Sequence, residues 1–68
     1  MKIFLVILYL GKSVGILGPL PGDLKDCWVK ADNREWFAPQ IEATGHMLGD
    51  VTLDCVRSRT EPKLGEQR

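Results

Sequence analysis

The apolar run near the start of the chain constrains the fold more than any other feature. Its residues follow Met1-Lys2 and read IFLVILYL. Side chains of a β-strand alternate between two faces, and here both faces are apolar. One face would carry Ile3, Leu5, Ile7 and Tyr9, and the other Phe4, Val6, Leu8 and Leu10. Such a strand has to be covered on both sides.

Two other structures for this stretch fit less well than a strand. A secretory signal peptide would need a small-x-small cleavage site after the apolar run, and Lys12 lies where that site is wanted. A membrane span would need roughly 20 apolar residues. Lys12 would lie near its centre and Pro19 would end it. We therefore expect a folded β-hairpin here.

The predicted hairpin turns at Gly11-Lys12-Ser13, because glycine adopts the positive φ values that tight turns require. Val14 to Leu17 then returns as a shorter strand. The segment from Gly18 to Gly22 contains two prolines, which cannot donate to a strand ladder, so we expect the strand to end there.

A helix is predicted after the proline-rich turn, with Gly22 or Asp23 as its cap. It should end between Asn33 and Phe37, with a further helical turn or two at Gln40 to Thr44. One apolar stripe follows the helical spacing and should face the core. Its members are Leu24, Cys27, Trp28 and Ala31. Val51 to Arg57 alternates and predicts a half-buried strand.

These elements predict an α+β fold in the order ββαβ, with a small antiparallel sheet packed on one helix. The last strand could pair with either strand of the hairpin. We favour pairing with the first strand, which would then be central and covered on both faces. Residues 1–58 would form one domain, and the polar residues 59–68 would form a disordered tail.

The two cysteines of the chain are candidates for a disulfide. A chain of 68 residues can build only a small core, so a further constraint is expected. Cys27 lies on the apolar stripe of the helix and Cys55 on the apolar face of the last strand, so packing brings both into one layer. A bond would close a loop of about 29 residues and contribute roughly 3 to 4 kcal/mol in the chain-entropy model. The alternative is two reduced core cysteines, as is usual in cytosol.

Charge and motifs predict no nucleic acid, membrane, cofactor or metal. Nine basic and nine acidic residues cancel, whereas nucleic-acid and anionic-membrane binders need a positive face. The sequence has no CxxC or HxxxH pair and no phosphate-binding glycine loop. We therefore predict that the protein is not an enzyme. The alternative is a small enzyme or metal protein built on Cys27, His46 and Cys55.

Two groups of residues are candidate protein contacts. One helix can cover only one face of the sheet, and the other face carries Phe4, Val6 and Leu8. Unless a second helix or the tail covers that face, it should meet a second copy or a different protein. The second group is Arg34, Trp36 and Phe37, since tryptophan and arginine are enriched at binding hot spots. We expect a protein partner and a homodimer.

Three segments carry a resemblance to a known group of proteins: MKIFLVILYL at the start, GPLPGDLKDC leading into the helix, and VTLDCVRS near the end. Together they resemble small uncharacterised proteins encoded by bacteriophages and prophages of proteobacteria. The resemblance implies a phage accessory protein that binds and blocks a host protein, such as a defence enzyme, in the bacterial cytoplasm. The alternative is a secreted or periplasmic disulfide-stapled domain, with residues 1–18 as its signal peptide.

Overall fold

The computed structural model describes residues 1–65, and residues 66–68 of the predicted tail lie outside the described residues. Two strands are followed by two helices, a short 3-10 helix and a third strand. Their bounds are β1 Lys2–Tyr9, β2 Lys12–Leu20, α1 Leu24–Ala31, α2 Arg34–Glu42, the 3-10 helix Leu48–Asp50 and β3 Thr52–Ser58. The predicted α+β class is confirmed, with a second helix added to the predicted order.

The three strands form one antiparallel sheet in the order β2-β1-β3. Leu5, at the middle of β1, pairs with Leu17 on one side and with Cys55 on the other. The predicted central position of the first strand is therefore correct. At the centre of the sheet, both apolar faces of this strand can be covered.

The hairpin turns one or two residues earlier than the sequence predicted. Tyr9 pairs with Lys12, so Leu10 and Gly11 alone form the loop, with φ values of 51° and 81°. Two positive φ values are those of the turn that best matches the twist of paired strands. Glycine adopts them freely, but a leucine in this region is strained. Leu10 is also 82% exposed, so its side chain gains little from burial.

β2 is longer than the sequence predicted, because the proline at position 19 does not end it. The strand runs to Leu20, which pairs with Ile3. A proline is tolerated on an edge strand and at a bulge, and β2 is an edge strand with a register shift next to this pair. The extra length adds Leu20 to the apolar layer that packs on the core.

Two capping interactions explain why the helical region divides. Asp23 caps α1, accepting a hydrogen bond from the backbone N–H of Asp26, whose carboxylate in turn accepts from the N–H of Asp23. The side chain of Asn33 accepts from the backbone N–H of Trp36 and caps α2 in the same way. The residues at which one helix was predicted to end therefore begin a second one. That helix continues through Pro39.

Both helices contribute to the core on one face of the sheet. Its buried members are Ile3, Leu5, Ile7, Cys27, Ile41 and Cys55. Cys27 of α1 and Cys55 of β3 form the predicted disulfide, with their Cα atoms 6.0 Å apart. Trp28, which was predicted to lie in this core, is instead 46% exposed. The disulfide thus fixes α1 on the sheet without a buried indole.

Replacement of Leu10 by asparagine should stabilise the protein. Asparagine tolerates positive φ far better than leucine, and a strained residue of this kind costs on the order of 1 to 3 kcal/mol. We expect Leu10→Asn to raise the free energy of unfolding, measured by urea denaturation, by about 1 kcal/mol. Leu64→Asn is the matched control, because Leu64 is also exposed but does not have a positive φ. If the two substitutions changed the free energy of unfolding equally, the effect would not come from the backbone conformation at Leu10.

Candidate protein-binding surfaces

The second face of the sheet, predicted to meet another chain, is largely closed within this one. Phe4 is 1% exposed and Val6 is 0% exposed, while Leu8 is half-buried. The helices do not cover them, since the helical core residues Cys27 and Ile41 pack with the odd-numbered side chains of β1. The expectation that Phe4 and Val6 present an open surface is therefore wrong for this structure.

The C-terminal segment covers this face. Ser13 is the cross-strand partner of Leu8, so its side chain lies on the same face. Its hydroxyl donates to the backbone carbonyl of Lys63 at 2.8 Å, and the N–H of Gly65 donates to the Ser13 carbonyl at 2.7 Å. These two bonds fix the end of residues 59–65, which we call the strap, against β2.

The course of the strap follows from the sheet order. β3 ends at Ser58, which pairs with Lys2 on one edge of the sheet, whereas Ser13 lies in β2 on the other edge. The strap must therefore pass from the β3 edge of the sheet to β2, on the face that carries the Ser13 side chain. Its position there accounts for the burial of Phe4, Val6 and the polar Ser13. The domain boundary predicted at residue 58 stays a prediction.

The predicted contact group of Arg34, Trp36 and Phe37 is divided by α2. Arg34 is exposed, while Trp36 and Phe37 are half-buried and pack against the core. The Nζ atom of Lys30 lies 5.1 Å from the Trp36 ring centroid, which places that indole on the side of α2 that meets α1. Arg34 and Phe37 instead line a groove with the 3-10 helix.

This groove has an apolar floor and one cationic wall. It is lined by Arg34, Phe37, Leu48 and Gly49 and has a volume of about 250 Å³. Phe37 and Leu48 also pack against the buried core, so the floor is held in place. A Cβ atom added to Gly49 would meet nothing within 4 Å, which shows that the groove is open at this wall.

The size and lining of the groove suit one side chain of another protein. Its volume is below the roughly 300 to 1,000 Å³ that is usual for small-molecule sites. An apolar side chain would fill the floor, and a neighbouring carboxylate could accept hydrogen bonds from the guanidinium of Arg34. Leu48 and Gly49 were not predicted as contact residues, because they lie outside the predicted elements, between the helical turn at Gln40 to Thr44 and the strand at Val51 to Arg57.

Two larger concavities are less suited to recognition. One, of about 490 Å³, is lined by Ser58 and residues of the strap itself, with more polar than apolar lining. The other, of about 420 Å³, lies at the start of α1 beside Gly22 and Asp26. Asp26 is already engaged there by the backbone N–H of Asp23. Neither concavity has an aromatic floor like that of the α2 groove.

The alternative site built on two cysteines and a histidine is not assembled in this structure. Cys27 and Cys55 are joined to each other, so neither sulfur is a thiolate. His46 packs against Tyr9, with ring centroids 4.5 Å apart. Across residues 1–65, no group of three or more histidine, cysteine or acidic residues is arranged to hold a metal ion.

Comparisons with other proteins add no family to these observations. The chain matches no protein-family model, no curated protein and no solved structure at a significant level. The resemblance to phage-encoded proteins therefore stays a prediction. As for membranes, none of the helices formed by residues 1–65 has the length and apolar character needed to cross one.

Deletion of residues 59–68 tests the role of the strap. Without it Phe4 and Val6 become exposed, and the burial of each is worth roughly 1.5 to 3 kcal/mol. We expect the free energy of unfolding to fall by at least about 2 kcal/mol and the truncated protein to bind an apolar fluorescent dye.

The matched control is Ser13→Ala in the full chain. It removes one hydrogen bond of the strap and should cost only about 1 kcal/mol. A truncated protein with unchanged stability and no dye binding would show that the strap does not cover the sheet.

Proposed function

We propose that this protein is a small non-enzymatic binding protein that acts by contact with another protein. The observation that carries the proposal is the groove of Arg34, Phe37, Leu48 and Gly49, in which a guanidinium stands beside an apolar floor. Arginine and aromatic residues dominate the binding energy of many protein interfaces. Two members of the predicted contact group, Arg34 and Phe37, line this groove.

The scaffold around the groove favours binding because it is rigid. Asn33 caps the first turn of α2, the turn that carries Arg34 and Phe37. Ile41 anchors the same helix in the core. A surface that is ordered before binding loses little conformational entropy when a partner arrives.

The predicted ligand of the groove is an apolar side chain of the partner with an acidic residue beside it. The nature of that partner comes from the sequence resemblance, which implies a phage-derived protein that blocks a bacterial host protein, such as a defence enzyme. In this proposal the groove engages the host protein in the bacterial cytoplasm.

Gly49→Trp tests the proposal by placing a large side chain at the edge of the groove. The added side chain starts in open space, so the fold should be retained, which circular dichroism can check. Tagged wild-type and variant proteins are used to purify partners from bacterial lysate, with quantification by mass spectrometry. We expect a specific partner to be depleted roughly tenfold or more by Gly49→Trp and by Arg34→Glu.

Gln40→Trp is the matched control, because Gln40 is exposed on the same helix but does not line the groove. It should retain the partner at the wild-type level. If the wild-type protein captures nothing specific, or if both groove variants keep every partner, the proposed binding site is wrong.

A second candidate function is favoured by the disulfide. Disulfides persist in secreted and periplasmic proteins and are rare in the cytosol, so the bond between Cys27 and Cys55 supports a secreted or periplasmic stapled domain. Residues 1–18, the signal peptide of this alternative, form β1 and most of β2 in the structure. Of the eight buried hydrophobic residues among residues 1–65, five lie in β1. This burial argues against their removal, and the intact mass of the mature protein tests whether they are retained.

Thiol trapping in the producing cell separates the two compartments. Cells are quenched with acid and denatured, and free thiols are labelled with a maleimide that shifts the mass of the chain. A periplasmic or secreted protein should remain unlabelled unless it is first reduced. Labelling of both Cys27 and Cys55 without reductant would show that the disulfide is absent in the cell. That result would contradict the secreted or periplasmic candidate and favour the cytoplasmic binding protein.

A further inference from the structure

One covalent bond supplies the main attachment of α1 to the sheet. Cys27 is the buried residue of this helix, and its sulfur is bonded to that of Cys55 in β3. The neighbouring Trp28 and Val29 are 46% and 63% exposed. Two other side chains of α1 pack against the core but are only half-buried, Leu24 and Ala31. Apart from its cysteine, α1 therefore buries little apolar surface.

α1 is also too short to persist as a helix without this attachment. It has eight residues, and helices shorter than about 12 to 15 residues are marginal in water unless they are packed. The reciprocal hydrogen bonds of Asp23 and Asp26 stabilise its first turn but make no contact with the sheet. Gly22, with a φ of 89°, precedes the helix, and Asn33 begins the cap of α2 after it. α1 thus lies between two turns of the backbone.

The other elements have attachments that do not involve α1. β2 and β3 both pair with β1, and hydrogen bonds to Ser13 fix the strap. Ile41, which is 1% exposed, anchors α2 in the core. The contact between Lys30 and Trp36 joins the two helices, but no residue of α1 lines the groove at α2. The sheet and the groove should therefore remain in place when α1 leaves the core.

We propose that α1 is a redox-controlled cover of the sheet. Reduction of the bond between Cys27 and Cys55 releases α1 and exposes part of the apolar face that carries Ile3 and Leu5, and reoxidation closes it again. This face is covered in an oxidising compartment and opens in a reducing cytoplasm. The cover is a property of the fold that goes beyond the proposed function of the groove and does not depend on it.

The reductant that this step requires is a dithiol. One thiolate of the dithiol attacks a sulfur of the disulfide and forms a mixed disulfide, and the other cysteine leaves as a thiolate that takes up a proton. The second thiol of the reductant then displaces the remaining cysteine in the same way. The dithiol loses two electrons and becomes a disulfide, while Cys27 and Cys55 gain two electrons and end as two thiols.

Amide hydrogen exchange of the full-length protein, followed by NMR with dithiothreitol as the reductant, tests the proposal. We expect the amides of Leu24–Ala31 to exchange roughly tenfold or more faster after reduction, because local opening of α1 no longer requires the bond to break. The exchange rates of the amides in β1 and α2 should change by less than about threefold.

A double variant with Cys27→Ala and Cys55→Ala is the matched comparison. It should show the same fast exchange in α1 without dithiothreitol, and addition of the reductant should change nothing. The reduced wild type keeps both sulfur atoms, so it separates the loss of the bond from the loss of packing.

Two results would overturn the proposal. If the exchange of α1 in the reduced wild type is unchanged, packing alone holds the helix on the sheet. If the amides of β1 and α2 are accelerated as much as those of α1, the bond holds the whole fold together and α1 is not a separate cover. No groove partner takes part in these measurements, so their outcome is independent of the partner capture that tests the groove.

Discussion

Burial of β1 on both of its faces is the constraint on which the rest of the structure depends. The five residues from Ile3 to Ile7 are each at most 4% exposed. A strand of this kind cannot be left at an edge or with one face open to water, because its apolar surface would remain solvated. The chain meets this requirement with one cover on each face, and the two covers are built differently.

On one face the cover is a helical layer held by a covalent bond. The disulfide between Cys27 and Cys55 links α1 to the strand next to β1. On the other face the cover is the strap, which has no regular secondary structure and is fixed by hydrogen bonds to Ser13. Small proteins often need a disulfide because their cores are small. Here the strap lies on the face of a second apolar layer, that of Phe4 and Val6, with which the helical core residues do not pack.

The sequence was sufficient to predict the features that depend on periodicity. The apolar character of both faces of β1 predicted a central strand, and the positions of Cys27 and Cys55 on two apolar faces predicted their pairing. Features that depend on single local interactions were missed: the cap at Asn33 that starts α2, the tolerance of Pro19 on an edge strand, and the turn at Leu10. Coverage by the tail was one of the alternatives left open, because its polar residues bind through backbone atoms and Ser13, which no hydrophobic pattern records.

Both faces of the sheet are used to fold, so the two predicted contact groups differ in what they leave accessible. Of the six predicted contact residues, Phe4 and Val6 serve the core, Leu8 and Trp36 are half-buried, and Arg34 and Phe37 line the groove. The groove at α2 is an apolar pocket with one guanidinium. The outer edge of β3 is unpaired within residues 1–65 and presents a row of backbone donors and acceptors.

Nuclear Overhauser effects in the full-length protein test most directly whether the strap covers the second face of the sheet. If the strap covers the second face, the ring protons of Phe4 and the methyl protons of Val6 show cross-peaks to protons of residues 59–65, and the amide of Gly65 exchanges slowly with solvent. If residues 59–65 instead show random-coil shifts, no cross-peaks to Phe4 or Val6 and rapid amide exchange, then β1 is not covered on both faces by its own chain and the account is wrong.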